Sequence, residues 1–274
     1  MDYRLVVTDL DGTLFDSESV VPEANAKALR AIFDRGIPIA IASGRRYAPF
    51  ALQAAQSIGR PVYLILCNGA VIVNSDLKEV IFRRGLTKRH IEWIVKIGCS
   101  GDEVHWCIRS DELDLLWRRS DGGPVIPGVT DDIWIPVMTV ADVIKSCPLE
   151  MLRIRMWASV AEITALRQKI TAQRFSVEEY PYPGNGDSYI ECMAPGVSKA
   201  AAIKLLAKRL GFGLENVIAF GDGTNDVEML AKVGLGVAMA NATEAVRRVA
   251  KMHTGTNDEN GVAQAIGRLF PVSK

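Results

Sequence analysis

The sequence predicts an α/β protein: a parallel sheet with helices on both faces, into which an α+β domain is inserted. Three observations predict it. Short, continuously apolar runs alternate with segments of helical period at both ends of the chain. The middle third breaks that rhythm, and acidic or glycine-rich turns follow the apolar runs. With 274 residues the chain is long enough for two unequal domains.

The first eighty residues read as strand, helix, strand, helix, strand. Arg4 to Thr8 is a short β-branched-rich run ending at the acidic turn Asp9-Leu10-Asp11-Gly12-Thr13. A helix starts at Pro22, whose fixed φ suits the first helical position, and Glu23 favours the positive end of the helix dipole. Leu29, Ile32 and Phe33 keep helical spacing, and Gly36 stops the run where a left-handed cap is expected. Ile37 to Ala42 is continuously apolar, as a strand covered on both faces should be. A helix from about Arg46 to Ile58 leads to a second such strand, Val62 to Cys67. Asn68-Gly69 then turns the chain tightly into Val71-Ile72-Val73.

The C-terminal third returns to the same alternation. Ser198 caps a helix with Ile203, Leu206, Ala207 and Leu210 on one face. Asn216 to Phe220 is a buried strand, followed by a glycine-rich turn and a helix through Met229 and Leu230. Gly234 to Met239 is a further strand, Thr243 caps the next helix, and the last helix spans about Glu259 to Phe270.

The middle is different. All five tryptophans (Trp93, Trp106, Trp117, Trp134, Trp157) and six of the twelve prolines lie there. Its strand candidates, Glu103 to Arg109, Glu150 to Trp157 and Arg174 to Tyr180, alternate apolar with polar positions, as in half-exposed antiparallel sheet. Helices near Thr87 to Ile97 and Val160 to Ala172 sit between them. The expected division is a core of residues 1–83 and 189–274 with an insert of 84–188.

Composition excludes several classes. A hydrophobic fraction of 49% and a charged fraction of 23% exclude disorder. Lysine plus arginine balances aspartate plus glutamate at 32 each, which leaves no basic footprint for nucleic acid or an anionic membrane. No apolar run reaches the ~18 residues of a membrane span. Five cysteines without a CxxC pair and three histidines without metal-ligand spacing argue against disulfides and zinc. The expectation is a cytoplasmic chain with reduced thiols.

Four polar clusters fall at the ends of apolar runs, where ligands collect in an open parallel sheet. They are Asp9 to Thr13, Ser43-Gly44-Arg45, Lys199 at a helix start, and Gly221-Asp222-Gly223-Thr224-Asn225-Asp226. Each alone reads as a solvated loop or a cap; four in order read as a site. Asp9, Asp11, Asp222 and Asp226 cannot all stay ionised near one point without a cation, and oxygen-only ligands favour magnesium. A phosphate dianion beside Asp9 meets repulsion of about 8 kcal/mol at an effective dielectric of 20. A divalent ion with Lys199 offsets it, while Ser43, Asn225 and the N–H groups of glycine loops, Gly44 among them, are placed to hold phosphoryl oxygens.

These motifs resemble those of haloacid dehalogenase superfamily phosphatases of the Cof type, with a Rossmann-like core and the insert as their larger cap. Gly236-Val-Ala-Met-Ala-Asn-Ala242 and Thr256-Asn-Asp-Glu-Asn-Gly-Val262 add to the likeness. The resemblance spans the whole chain and is loose in the insert. It implies that Asp9 attacks phosphorus and that Asp11 serves as acid and then base. It further implies that Ser43, Lys199 and Asn225 bind the phosphoryl group, and that Mg2+ is held by Asp9, the main-chain carbonyl of Asp11 and Asp222, with Asp226 either touching the ion or standing just behind its ligands. The implied substrate is a small phosphorylated metabolite, a sugar phosphate first. A sugar phosphomutase shares the acid and the nucleophile, whereas a non-catalytic phosphate-binding protein on the same fold is expected to have lost Asp9, Asp11 or Lys199, all of which are present. The tryptophans read chiefly as packing of the insert, and Arg45, Arg109, Arg118, Arg119, Arg153 and Arg155 as solvated faces.

Overall fold

The computed structural model describes residues 2–45, 49–75, 79–98, 105–109, 114–118, 134–136, 150–181 and 187–271. Arg119 and the expected helix start at Arg46 lie outside the described residues, as do the side chains of Arg109, Arg118, Trp106, Trp117, Trp134 and Trp157. The chain divides into two compact units, residues 1–83 with 198–274, and residues 84–197.

The first unit opens with β1 (Leu5–Thr8), α1 (Glu23–Phe33), β2 (Ile39–Ala42), α2 (Pro49–Ile58), β3 (Tyr63–Leu66), β4 (Val71–Asn74) and β5 (Glu79–Arg83). The second contains β6 (Leu86–Thr87), α3 (Lys88–Gly98), β7 (His105–Arg109), β8 (Asp114–Arg118), β9 (Trp134–Pro136), β10 (Glu150–Met151), β11 (Arg153–Ser159), α4 (Val160–Ala172), β12 (Ser176–Pro181) and β13 (Asp187–Met193). The first unit then resumes with α5 (Lys199–Arg209), β14 (Val217–Gly221), α6 (Val227–Lys232), β15 (Leu235–Ala238), α7 (Glu244–Val249), β16 (Met252–His253) and α8 (Gly261–Leu269).

In the first unit the sheet order is β16-β15-β14-β1-β2-β3-β4-β5. Strands β16 through β3 are mutually parallel, whereas β3-β4 and β4-β5 are antiparallel. The edge hairpin departs from a purely parallel sheet because the turn at Asn68-Gly69 is too short for a crossover, which needs a dozen or more residues. Every residue of β1, β2 and β14 is buried, which explains their unbroken apolar runs. Helix α1 packs with α2 and α8, and α5 with α6, giving the two helical layers that sandwich the sheet. The chain leaves β1 toward β2 on one side and returns from the other through β14. That reversal opens a crevice at the carboxyl ends of these central strands.

The second unit carries a six-stranded sheet of order β12-β13-β11-β7-β8-β9, antiparallel except between β8 and β9. Strand β13 was divided by the boundary expected at residue 189. It belongs wholly to this unit, because Ser188 to Met193 pair with β11 and β12. Alternation puts Ile154, Met156, Ile190 and Cys192 on the buried face, against which α4 packs. Arg153 and Arg155 share the other face with Glu191, which accepts from both guanidinium groups. Arg153 is therefore not a solvated residue: at 3% exposure it is buried in an ion pair. Trp93 on α3 stacks on Phe175 with ring centroids 5.4 Å apart. Among the described residues, no helix is long and apolar enough to cross a membrane.

Candidate active site

The crevice of the first unit is lined by the turn after β1. Asp9 continues the strand for one residue, its N–H donating to the Phe220 carbonyl at 2.9 Å. The chain then makes a wide turn over Leu10 to Leu14, closed by Phe15 N–H to Leu10 O at 2.8 Å. Gly12 is needed there twice over. Its φ is +71°, and a Cβ would fall 2.4 Å from Oδ2 of Asp222.

Lys199 joins this turn to the one after β14. It is the first residue of α5, which is capped by Ser198 accepting from Ala201 N–H at 3.1 Å. Its Nζ donates to Asp9 Oδ1 at 2.6 Å and to Asp226 Oδ1 at 2.7 Å. Oδ2 of Asp226 accepts from the N–H groups of Asp222 and Gly223 at 3.1 and 3.0 Å, which fixes the glycine-rich turn around that carboxylate. Thr13 Oγ1 donates to Asp222 Oδ1 at 2.6 Å. Asp9, Asp222 and Asp226 thus each bring one carboxylate oxygen within 4.8 Å of the others.

Three carboxylates against one ammonium make an unbalanced cluster. Burial, followed by the neighbouring charges of Asp226 and Asp222, pushes the Asp9 carboxyl well above the usual carboxylate range despite Lys199. Burial also lifts Asp222 to about 6, the hydrogen bond from Thr13 working against it. Burial opposes the charge on Lys199, yet the carboxylates of Asp226 and Asp9 outweigh it and hold the ammonium above its ordinary value. A hard divalent cation fits this set: the donors are all oxygen, they converge, and their charge is uncompensated.

Asp11 stands apart from these acids. Its carboxylate lies in the fork of Arg45, with Nε to Oδ2 at 2.7 Å and Nη2 to Oδ1 at 2.6 Å. Arg45 also lies over the Phe50 ring, 4.4 Å from its centroid. The reading of Arg45 as a solvated face is thereby corrected, since the side chain is spent on Asp11.

Ser43 and Gly44 follow β2, and Ser43 is buried, its Oγ accepting from Arg45 N–H at 3.0 Å. Asn225, after β14, donates from Nδ2 to Oδ1 of Asn68 at 3.0 Å. Asn68 also lies against Gly44, where a Cβ would come 3.1 Å from its Oδ1. Ser43, Gly44 and Asn225 are therefore brought together through a residue that sequence reading takes only as a turn former.

Asn241 is a second such residue. Its Nδ2 donates to Gly12 O at 2.7 Å, while its Oδ1 accepts from Asn257 N–H at 3.2 Å. Asn257 in turn donates from Nδ2 to Phe15 O at 3.0 Å. The two late motifs, which carry no assigned role in the sequence, brace the turn that bears Asp9. Their available signal was the presence of asparagine in short, glycine-containing loops.

The model of the haloacid dehalogenase-like hydrolases matches residues 6–266, and the chain belongs to that family. Among curated relatives, the 5-amino-6-(5-phospho-D-ribitylamino)uracil phosphatase YcsE of Bacillus subtilis is 29% identical over 97% of this chain and 95% of its own length. The phosphatase YitU of the same organism, with the same substrate in its name, is 26% identical over 97% of each chain. The crystal structure of a haloacid dehalogenase-like hydrolase from Bacteroides thetaiotaomicron superposes with a TM-score of 0.75 at 25% identity, covering 98% of this chain and 100% of that one.

Proposed function

We propose that this hydrolase is a magnesium-dependent phosphatase of small phosphorylated metabolites, sugar phosphates first, acting through an aspartyl-phosphate on Asp9. The observation that carries the reading is the convergence of Asp9, Asp222 and Asp226 around Lys199. A phosphate-free function gives no reason to gather three acids, two of them buried, beside one ammonium.

Asp9, Asp222, Asp226 and the main-chain carbonyl of Asp11 would hold the cation, which when bound neutralises the acids and the phosphate dianion. Lys199, Ser43, Asn225 and the Gly44 N–H bind phosphoryl oxygens and orient phosphorus toward Asp9. The Asp9 oxygen forms a bond to phosphorus as the ester P–O bond breaks, and Asp11 donates its proton to the departing oxygen. Asp11 then takes a proton from water, whose oxygen attacks phosphorus and releases phosphate and Asp9. Both Asp11 oxygens accept from Arg45, so the carboxyl leaves that fork before it can carry a proton.

The second unit serves in this reading as the cap that selects the leaving group. The two relatives named for a phosphorylated ribityl pyrimidine support a phosphorylated polyol or sugar as the substrate class. The test is release of inorganic phosphate from an aryl phosphate and from a panel of sugar and polyol phosphates, with magnesium and with a chelator. Phosphate release that stops on chelation and in Asp9→Asn is the expected result. Isomerised phosphosugar without free phosphate would replace it with a mutase.

A further inference from the structure

The turn Cys67-Asn68-Gly69 holds three successive residues in the left-handed region, with φ of 50°, 55° and 101°. Glycine adopts it freely; for cysteine and asparagine it is uncommon, and bulkier residues avoid it. Strands β3 and β4 pair out to Leu66 and Val71, so the connection is a four-residue loop from Cys67 to Ala70. Three of its four residues are left-handed, starting at the first, Cys67, inside a buried segment. Strain of this kind persists where surrounding structure over-determines it, and such places cluster at functional sites.

The surroundings do over-determine it. Cys67 N–H donates to Arg45 O at 2.9 Å and Asn68 N–H to Ser43 O at 3.1 Å, so both strained residues are tied to the loop after β2. On the other side Gly69 presses on α5, where a Cβ would meet Ser198 O at 2.3 Å. The result points the Asn68 side chain, 1% exposed, at Asn225 across 157 residues of sequence. Three of the four motif loops meet at this one turn.

We propose that Asn68 is a positioning residue that sets which end of the Asn225 amide faces the phosphoryl group. The proposal rests on the phosphatase reading. An amide presents either N–H or C=O, and only N–H suits a phosphoryl oxygen. The Asn68 carbonyl oxygen accepts one Nδ2 hydrogen of Asn225, which fixes the amide by its donor end. The second Nδ2 hydrogen finds no acceptor among the described residues and is left for the ligand. Without Asn68 the amide turns over at little cost and offers an oxygen to an anion. The left-handed backbone is what brings the Asn68 oxygen to Asn225.

The experiment is a double-mutant cycle on aryl phosphate hydrolysis with inorganic phosphate as competitive inhibitor, using Asn68→Gly, Asn225→Ala and the pair. Glycine relieves the left-handed strain, so Asn68→Gly keeps the wild-type melting temperature within a few degrees while removing the acceptor. It loses about tenfold in kcat/KM and in phosphate affinity, as Asn225→Ala does, and the pair is no worse than Asn225→Ala alone. Asn68→Asp keeps both the backbone preference and the acceptor, so in that background Asn225→Ala still costs about tenfold; this arm stands even where Asn68→Gly fails to fold. Unchanged kinetics in Asn68→Gly, losses that multiply in the pair, or no cost of Asn225→Ala beside Asn68→Asp would overturn the proposal alone. A wild type that hydrolyses no phosphomonoester would overturn the phosphatase reading and the proposal with it.

Discussion

Arg45 holds Asp11 by two parallel hydrogen bonds, Nε to Oδ2 at 2.7 Å and Nη2 to Oδ1 at 2.6 Å. The pair is partly open to solvent, with side-chain exposures of 33% and 48%, so it contributes no more than about 1 kcal/mol to stability. Its importance is chemical, because it occupies the carboxylate that the proposed mechanism uses twice.

Asp11→Asn separates the two uses. An aryl alcohol leaves without an acid, but the following water still needs a base. The variant is expected to release one equivalent of aryl alcohol in a burst and then turn over at least about 100-fold more slowly. Rapid-mixing absorbance reads the burst, and intact mass reads the retained phosphoryl group. A variant that turns over normally would remove Asp11 from the mechanism.

Lys199→Ala leaves Asp9 and Asp226 buried without their shared cation. Breaking a buried pair in this way costs about 3–5 kcal/mol. Urea unfolding in chelator should show that deficit, and magnesium should narrow it by supplying positive charge to the same acids. Catalysis should fall by at least about 100-fold, as when one preorganised donor to a transition state is removed.

The raised value of Asp222, about 6, has a definite sign in stability. Between its unfolded value of about 3.9 and that of the folded protein, the native state binds more protons, so stability falls as pH rises. Metal-free wild type should match Asp222→Asn near pH 4 and become the less stable of the two above pH 6. Thermal melts of both proteins in chelator across that range make the comparison. A wild type that gains on the variant with rising pH would contradict it.

Two glycines with similar positive φ separate strain from contact. Gly36→Ala, at φ +83° with nothing within 4 Å of its Cβ, should cost about 1–2 kcal/mol and leave activity intact. Gly12→Ala, at φ +71°, also drives a methyl group into Asp222 and should lose magnesium-dependent stabilisation together with turnover. Melting with and without magnesium, paired with phosphate release, distinguishes them.

Much of this was legible in the sequence, because buried strands and their polar ends are local features. β1, β2 and β14 appear as apolar runs, and the acids after β1 and β14 appear as turns. Contacts made across the fold were not legible. Nothing local tells that Arg45 reaches Asp11, 34 residues away, or that Arg153 faces Glu191, which depends on strand register. Asn68 was visible as half of an Asn-Gly turn; that its side chain turns inward follows from Cys67 taking a left-handed backbone, which tertiary bonds impose.

Strand β1 hydrogen-bonds to β2 on one flank and β14 on the other, and Thr13 bonds to Asp222 209 residues later. On a ribosome the intervening unit therefore emerges whole while the first sheet is still half-built. At about 5–20 residues per second the wait lasts roughly 10–40 s. Throughout that interval β1 presents a bare apolar edge of the kind that chaperones bind and that neighbouring nascent chains pair with.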